Sequence, residues 1–339
     1  MLKQVLVIIS AGIVTSVSGT QPPANPISVN ADNFARAETD TYFAKTASLG
    51  AFGKLYHNRE PVSIDDQKVV RMNRDTLYSS GVFDLSAGAL TITLPDPGKR
   101  FLSLQVISED HYVVEVAYEP GAHSYDQATV GTRYVYVIIR TLVDPENPDD
   151  VAAAHQLQDA VKTSQKDVGR FEVPHWDPIT QDKARDALSS LGALGGSGIK
   201  FGTKQEVDPI SHLIGTAIGW GGNPPYAATY VSVYPPQNDG NTPYALTLKD
   251  VPVDGFWSIS VYNAKGYFEK NDLHAYSINN LTAKADDDGS YTVQFGNCAA
   301  DVSNCLPITL GWNYTVRLYR PGRAILDGSW TLPEARPLH

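Results

Sequence analysis

The chain has 339 residues, of which 42% are hydrophobic, and its 37 acidic against 27 basic side chains give a net charge of −10 at neutral pH. That balance, with no basic block, speaks against nucleic acid or an anionic membrane surface as a partner. The length exceeds what one small domain needs and leaves room for two cores.

Met1-Leu2-Lys3 precedes an apolar run from Val5 to Val17, then Ser18, Gly19 and Thr20 and a proline-containing stretch. This pattern predicts a secretory signal peptide over residues 1–19, cleaved near Gly19. The run is shorter than the ~20 residues needed to cross a bilayer. Export to the periplasm or the medium is therefore expected, with no membrane partner after cleavage; an uncleaved anchor is the competing reading.

From Asn30 to Leu49 the sequence offers Asp32 and Asn33 as caps, no proline, and Gly50 as a stop, which predicts a helix. Period-two segments at 89–94, 101–107, 112–118 and 134–141 follow, with turns at Asp96-Pro97-Gly98 and Pro120-Gly121. Together they predict a helix and a small β-sandwich over residues 30–145. Residues 149–165 and 180–194 then place Val151, Ala154, Leu157 and Val161, and Ala184, Ala187, Leu188 and Leu191, on helical faces. A third helix starts at Asp208-Pro209, an N-cap followed by proline at the first helical position, and stops at Gly221-Gly222. Residues 146–222 are thus expected to form a helical bridge. Six further strands, at 228–234, 244–248, 256–262, 275–278, 291–295 and 314–319, predict a jelly roll over 223–334. The fold class is mainly β.

The only cysteines, Cys298 and Cys305, are expected to pair in an exported chain. Closing so short a loop removes about 2.5 kcal/mol of unfolded-state freedom and pins a local turn. None of the eight histidines belongs to an HExxH or His-x-His pattern, so neither a metal site nor a cofactor is predicted. No GxSxG elbow or free thiol is present. Asn280-Leu281-Thr282 and Asn313-Tyr314-Thr315 are glycosylation sequons only for a eukaryotic host.

The segment from Arg71 to Tyr78, followed by Asp84-Leu85-Ser86 and by Ile138-Ile139-Arg140-Thr141-Leu142-Val143 ahead of a helix, resembles the domain of unknown function 1254. Ile218-Gly219-Trp220-Gly221-Gly222, the strand from Phe256 to Tyr262, Asn271, Asp288-Gly289-Ser290 and Asp327-Gly328-Ser329-Trp330 resemble its C-terminal companion, the domain of unknown function 1214. The resemblance spans about residues 30–334. It implies an immunoglobulin-like sandwich, a helical insert and a jelly roll, and it implies no reaction.

Arg71, Asn73, Asp75 and Tyr78 gather a fixed cation, an amide, a carboxylate and a phenol within eight residues. If extended, the segment points the first three to one face, able to clamp a carboxylate or sugar hydroxyls. The alternative is a buried turn in which Asp75 caps neighbouring N–H groups and pairs with Arg71. His111, at a strand end, is a candidate acid or base. Trp220, at a helix end beside two glycines, is a candidate ligand-facing aromatic, or else a plug between helix and sheet. Trp257, Ile259 and Val261 share a core face, which leaves Phe256, Ser258, Ser260 and Tyr262 on a candidate cleft wall.

Three functions compete. The first is an enzyme acting on a small exported molecule such as a carbohydrate or carboxylate, with Asp75, His111 and Tyr78 handling protons and Arg71 and Asn73 anchoring. The second is a non-catalytic binder that uses Trp220 and Tyr262. The third is a surface interaction protein. Convergence of Asp75 and His111 in one pocket favours the enzyme; aromatics without titratable partners favour the binder. The oligomeric state is not fixed by the sequence.

Overall fold

The computed structural model describes residues 25–67, 70–299 and 301–338; the expected signal peptide lies outside the described residues. In chain order the first part contains α1 (Phe34–Ser48), β1 (Tyr56–His57), β2 (Thr76–Asp84), β3 (Leu90–Leu94), β4 (Leu102–Ser108), β5 (Val113–Ala117), β6 (Gly121–Tyr125), α2 (Gln127–Val130) and β7 (Tyr134–Leu142). The middle adds α3 (Pro148–Ala160), β8 (Lys162–Ser164), α4 (Pro178–Gly192) and α5 (Pro209–Gly219). The last part contains β9 (Ala228–Val233), β10 (Tyr244–Leu248), β11 (Trp257–Tyr262), β12 (Ser277–Asn279), β13 (Tyr291–Phe295), β14 (Cys305–Leu306), β15 (Asn313–Tyr319), α6 (Arg323–Leu326) and β16 (Arg336–Pro337).

Four open sheets form among the described residues. A five-stranded sheet, β1-β2-β7-β4-β5, packs on a three-stranded one, β6-β3-β8. Between them Phe83, Leu104, Val106, Val135, Val137 and Ile139 meet Leu90, Ile92 and Leu94. Each such side chain contributes about 1.5–3 kcal/mol by leaving water. The C-terminal part pairs β14-β13-β10-β16 with β12-β11-β15-β9. Leu246, Val293 and Phe295 face Trp257, Ile259, Val261, Val316 and Leu318 across that core. Among the described residues all pairings are antiparallel except β13 with β14 and two isolated bridges.

Period-two alternation turns the other face of each main sheet outward from its own core. On the five-stranded sheet this face carries Thr76, Tyr78 and Ser80 of β2 and Tyr136, Ile138 and Arg140 of β7, with β2 and β7 in register so that Tyr78 stands opposite Arg140. On the C-terminal sheet it carries Thr315, Arg317 and Tyr319 of β15, with Arg317 opposite Tyr230 of β9. The two faces look toward each other. Phe101, Leu142, Phe256, Ala228 and Tyr319 join the sandwiches along one side in a small apolar cluster. Helices α1, α4 and α5 pack together through Phe34, Ala37, Leu188, Leu213 and Ile214 and cover part of the five-stranded sheet, where Phe43 meets Tyr136.

The expected helix over 149–165 is shorter in the structure. It ends at Ala160, and Lys162–Ser164 becomes strand β8 on the edge of β3, where the β-branched Val161 and Thr163 fit a pleated sheet better than a helix. The bridge is therefore not wholly helical. Strand β2 was not expected, because Ser79, Ser80 and Gly81 interrupt its apolar pattern; Gly81 is required there, since a Cβ would lie 2.5 Å from the Lys54 carbonyl oxygen. Helix α5 is capped as expected, with the Asp208 side chain accepting from the Ser211 N–H. Cys298 and Cys305 are bonded, their Cα atoms 5.5 Å apart. Asn280 is exposed but Asn313 is buried and donates to the Asn263 carbonyl oxygen, so the folded chain has no room for a glycan at Asn313. No helix of the described residues is long and apolar enough to cross a membrane.

Candidate ligand-binding cleft

Between the facing sheets lies a cleft of about 660 Å3. Its floor is the Tyr78–Arg140 pair from one sandwich and the Tyr230–Arg317–Tyr319 group from the other; Tyr42 of α1 and Trp220 just beyond α5 form an apolar wall, and Arg71, Asn73 and the 58–63 segment form the rim.

Arg140 is only 5% exposed. It donates to the Gln105 side-chain oxygen at 2.6 Å and to the Gly221 carbonyl at 3.1 Å, and its guanidinium lies 5.5 Å from the Tyr78 ring centre. Among the described residues no carboxylate forms an ion pair with it. Arg317, 3% exposed, donates to the Ser260 and Tyr262 hydroxyls and to the Arg71 and Met72 carbonyls. Asp75 lies within its electrostatic reach without forming an ion pair. Arg71, more exposed, donates to the Thr315 and Tyr234 hydroxyls. Neutral acceptors satisfy these donors geometrically; Arg317 has Asp75 in its field, whereas Arg140 is buried with no ion-pair partner among the described residues, and a buried unpaired charge is costly.

The phenols are arranged by two asparagines. The Asn73 side-chain oxygen accepts the Asp75 N–H at 2.8 Å, which fixes the amide so that its nitrogen lies 3.2 Å from the Tyr78 oxygen and 3.1 Å from that of Tyr319. Asn223 serves Tyr230 in the same way at 2.8 Å. Burial resists ionisation of all three phenols. For Tyr319 it wins, helped by Tyr230 and Tyr78, and the group is held well above the ordinary tyrosine value; Tyr230 is also raised by burial. For Tyr78 the opposing pull of Arg140, together with the hydrogen bond from Asn73, outweighs burial and brings the phenol below that value.

The wall is built from stacked rings. Trp220 stacks on Tyr42 at 4.3 Å and donates its indole N–H to the Thr39 hydroxyl. His111 stacks on Trp220 at 5.4 Å, His212 on His111, and Tyr112 on His212. Gly221 and Gly222 are required at the turn after α5: Gly221 has φ +78°, and a Cβ on Gly222 would lie 2.4 Å from the Phe201 ring. Their carbonyls receive Arg140 and Gln105.

Of the residues singled out from sequence, Arg71, Asn73, Tyr78 and Trp220 line the cleft. Asp75 and His111 do not, and they do not converge. Asp75 is 1% exposed and turned away; its Oδ1 accepts from Asn279 at 3.1 Å, and its Oδ2 has no hydrogen-bond partner among the described residues. His111 sits behind Trp220 with both nitrogens engaged. The Gly221 N–H donates to Nε2, and Nδ1 faces the Thr216 hydroxyl at 2.7 Å, whose own proton goes to the His212 carbonyl. Nδ1 therefore carries the proton and the ring is neutral, as burial and His212 also require by holding its pKa well below the ordinary histidine value. Tyr262 lies one layer back, donating to the Met72 carbonyl and receiving Arg317. The notable omissions from the sequence reading are Arg140, Arg317, Tyr230 and Tyr319. A signal was present: each arginine is the single charged residue of its strand, Tyr134–Leu142 and Asn313–Tyr319, both otherwise made of residues suited to burial, and a charge is rarely buried without a reason.

The architecture defines a two-sandwich β protein with its cleft between the sandwiches. Residues 52–124 match the family model described as Protein of unknown function (DUF1254), and residues 226–323 the one described as Protein of unknown function (DUF1214). The chain belongs to the DUF1254/DUF1214 family, with the two domains N- and C-terminal respectively. No curated protein matches it. Its fold is similar to that of the VPA0106 protein from Vibrio parahaemolyticus, with a TM-score of 0.70 at 19% identity over 91% of this chain and 98% of that one. A putative uncharacterized protein from Burkholderia cenocepacia aligns with a TM-score of 0.52 at 13% identity, covering 90% of this chain and 86% of the other. These likenesses concern the fold alone.

Proposed function

We propose that the cleft binds a small organic anion, its acidic group against Arg140 and Arg317 and its apolar body against Tyr42 and Trp220, and that the protein is exported to meet that ligand. The observation that carries this reading is Arg140: a buried guanidinium with no carboxylate partner among the described residues, facing a cavity. A bound anion supplies the missing charge and accepts the hydroxyl protons of the surrounding phenols. A neutral carbohydrate is a poorer fit, because sugar hydroxyls need acceptors as well as donors and, among the described residues, Glu60 is the only carboxylate that lines the cleft. The disulfide supports export, since such bonds persist in oxidising compartments.

The test is binding of a panel of carboxylates (benzoate, phenylpyruvate, citrate, glucuronate) to the mature protein by calorimetry and thermal shift. At least one is expected to bind and to raise the melting temperature, and Arg140→Gln is expected to weaken that binding at least about tenfold, the loss of a charge-assisted contact. Arg71→Gln, at the more exposed rim, gives a second variant should the first fold poorly. Failure of every anion to bind the wild type, or unchanged affinity in both variants, would overturn the reading.

A further inference from the structure

We propose that Tyr78 is the proton-transfer residue of this cleft, acting as base and then acid on a 2-oxo acid with a flat apolar substituent, while Tyr319 and Tyr230 hold the oxygen on which negative charge develops. The proposal rests on the anion-binding reading and goes beyond it by naming a reaction class and a substrate class.

Of the three phenols it is Tyr78 whose ring lies beside the Arg140 guanidinium, 5.5 Å from its centre. Tyr78 stands opposite Arg140 across adjacent strands and shares the Asn73 amide with Tyr319. Tyr319 and Tyr230 lie within electrostatic reach of both Arg140 and Arg317. Asn223 donates to the Tyr230 oxygen, and the Asn73 amide nitrogen lies within reach of the Thr76, Tyr78 and Tyr319 oxygens, which leaves the Tyr319 and Tyr230 hydroxyl protons to be donated into the cleft. Neighbouring groups of one chemical kind whose environments push their pKa values apart are a mark of divided acid and base roles. Here Tyr319 and Tyr230 are held protonated as donors, and Tyr78 is shifted toward the phenolate.

The step balances without a co-reactant. The Tyr78 phenolate oxygen takes a proton from the carbon beside the keto group. The C–H electron pair becomes a C=C bond, and the carbonyl π pair moves onto oxygen, where the Tyr319 and Tyr230 hydroxyls receive it. Charge has moved from one oxygen to another in the field of Arg140, so little reorganisation is needed. Return of the proton from Tyr78 to carbon restores the ketone with solvent-derived hydrogen, and delivery to oxygen gives the enol. The substrate carboxylate faces Arg140 and Arg317, and the flat substituent lies against Tyr42 and Trp220. A cavity of about 660 Å3 is large enough for such a molecule.

The experiment follows phenylpyruvate in D2O by proton NMR, reading hydrogen exchange at the carbon between the ring and the keto group, alongside its dissociation constant by calorimetry. The wild type is expected to accelerate exchange over buffer. Tyr78→Phe is expected to lose about 100-fold or more of that acceleration while its dissociation constant changes less than about threefold. The wild-type rate is expected to rise with pH through an ionisation below that of an ordinary tyrosine, a readout that does not depend on the variant. Binding without exchange, or exchange unchanged in Tyr78→Phe, overturns the role of Tyr78 and leaves the anion reading standing. Absence of phenylpyruvate binding overturns the substrate class, and the anion reading falls with it only if benzoate, citrate and glucuronate also fail.

Discussion

Arg140 and Asp40 are both ionisable groups removed from water, and the protein treats them in opposite ways. Arg140 keeps its charge because phenols and carbonyls surround it. Asp40 on α1 is 1% exposed; its Oδ2 accepts from the Trp176 indole, and its Oδ1 has no hydrogen-bond partner among the described residues. Burial above all, with the neighbouring Glu109 carboxylate, pushes its pKa up to about 8 against the pull of Trp176 and Arg36. Arg36 itself is pinned at 2.5 Å to Asp110 and lies 3.8 Å from Glu109. A carboxyl raised on folding adds stability that is fully present below its unfolded value near 4 and is lost as pH rises toward 8. Asp40→Asn keeps the acceptor for Trp176 and supplies a donor toward Glu109. It is expected to melt higher than wild type at pH 8, on the order of a few kcal/mol more stable, and to show no advantage at pH 4. A melting difference independent of pH would show that Asp40 does not carry this proton.

The elements set the site through register. In each main sheet a tyrosine and an arginine stand opposite each other on adjacent strands, Tyr78 with Arg140 and Tyr230 with Arg317, so pairing alone delivers two phenol–guanidinium pairs to one cleft. The turn after α5 completes the site by presenting the Gly221 and Gly222 carbonyls. Gly222→Ala would drive a methyl group to 2.4 Å from the Phe201 ring. Displacing Phe201 is expected to cost about 1–3 kcal/mol, read as a lower melting temperature, and to loosen Gln105 and Arg140 with a matching loss of anion affinity. An unchanged melting temperature would mean that Phe201 moves aside freely. The strands at 244–248 and 291–295 were legible to the residue, because alternation between Gly, Pro and Asp turns is a local signal. Strand β2 was not, because serines and a glycine occupy its centre and only burial on both faces makes it a strand. The same limit hid β8, whose partner lies about 70 residues upstream in β3.

At the scale of the whole molecule the cleft exists because two sandwiches turn their polar faces toward each other. The Arg71–Tyr78 segment is where they are fastened. Arg71 donates its N–H to Gly266, and the Arg71 and Met72 carbonyls receive Arg317 and Tyr262 from the C-terminal sheet. The density of polar groups in that segment marked it in the sequence, and it does reach the cleft through Arg71, Asn73 and Tyr78. Which partners would meet it was not legible, since Arg317, Tyr319 and Tyr230 lie more than 150 residues away and are brought in by tertiary packing alone. His111 shows the converse: a residue of the right chemical type, fixed as a neutral support behind Trp220. The central claim, that this cleft is an anion site organised by Arg140, is tested most directly by a crystal structure of the protein grown or soaked with 4-bromobenzoate and read by bromine anomalous scattering. The expected result is a bromine peak against Tyr42 and Trp220 with the carboxylate within hydrogen-bonding distance of Arg140; a cleft without the anion, or a peak only elsewhere on the surface, would contradict it.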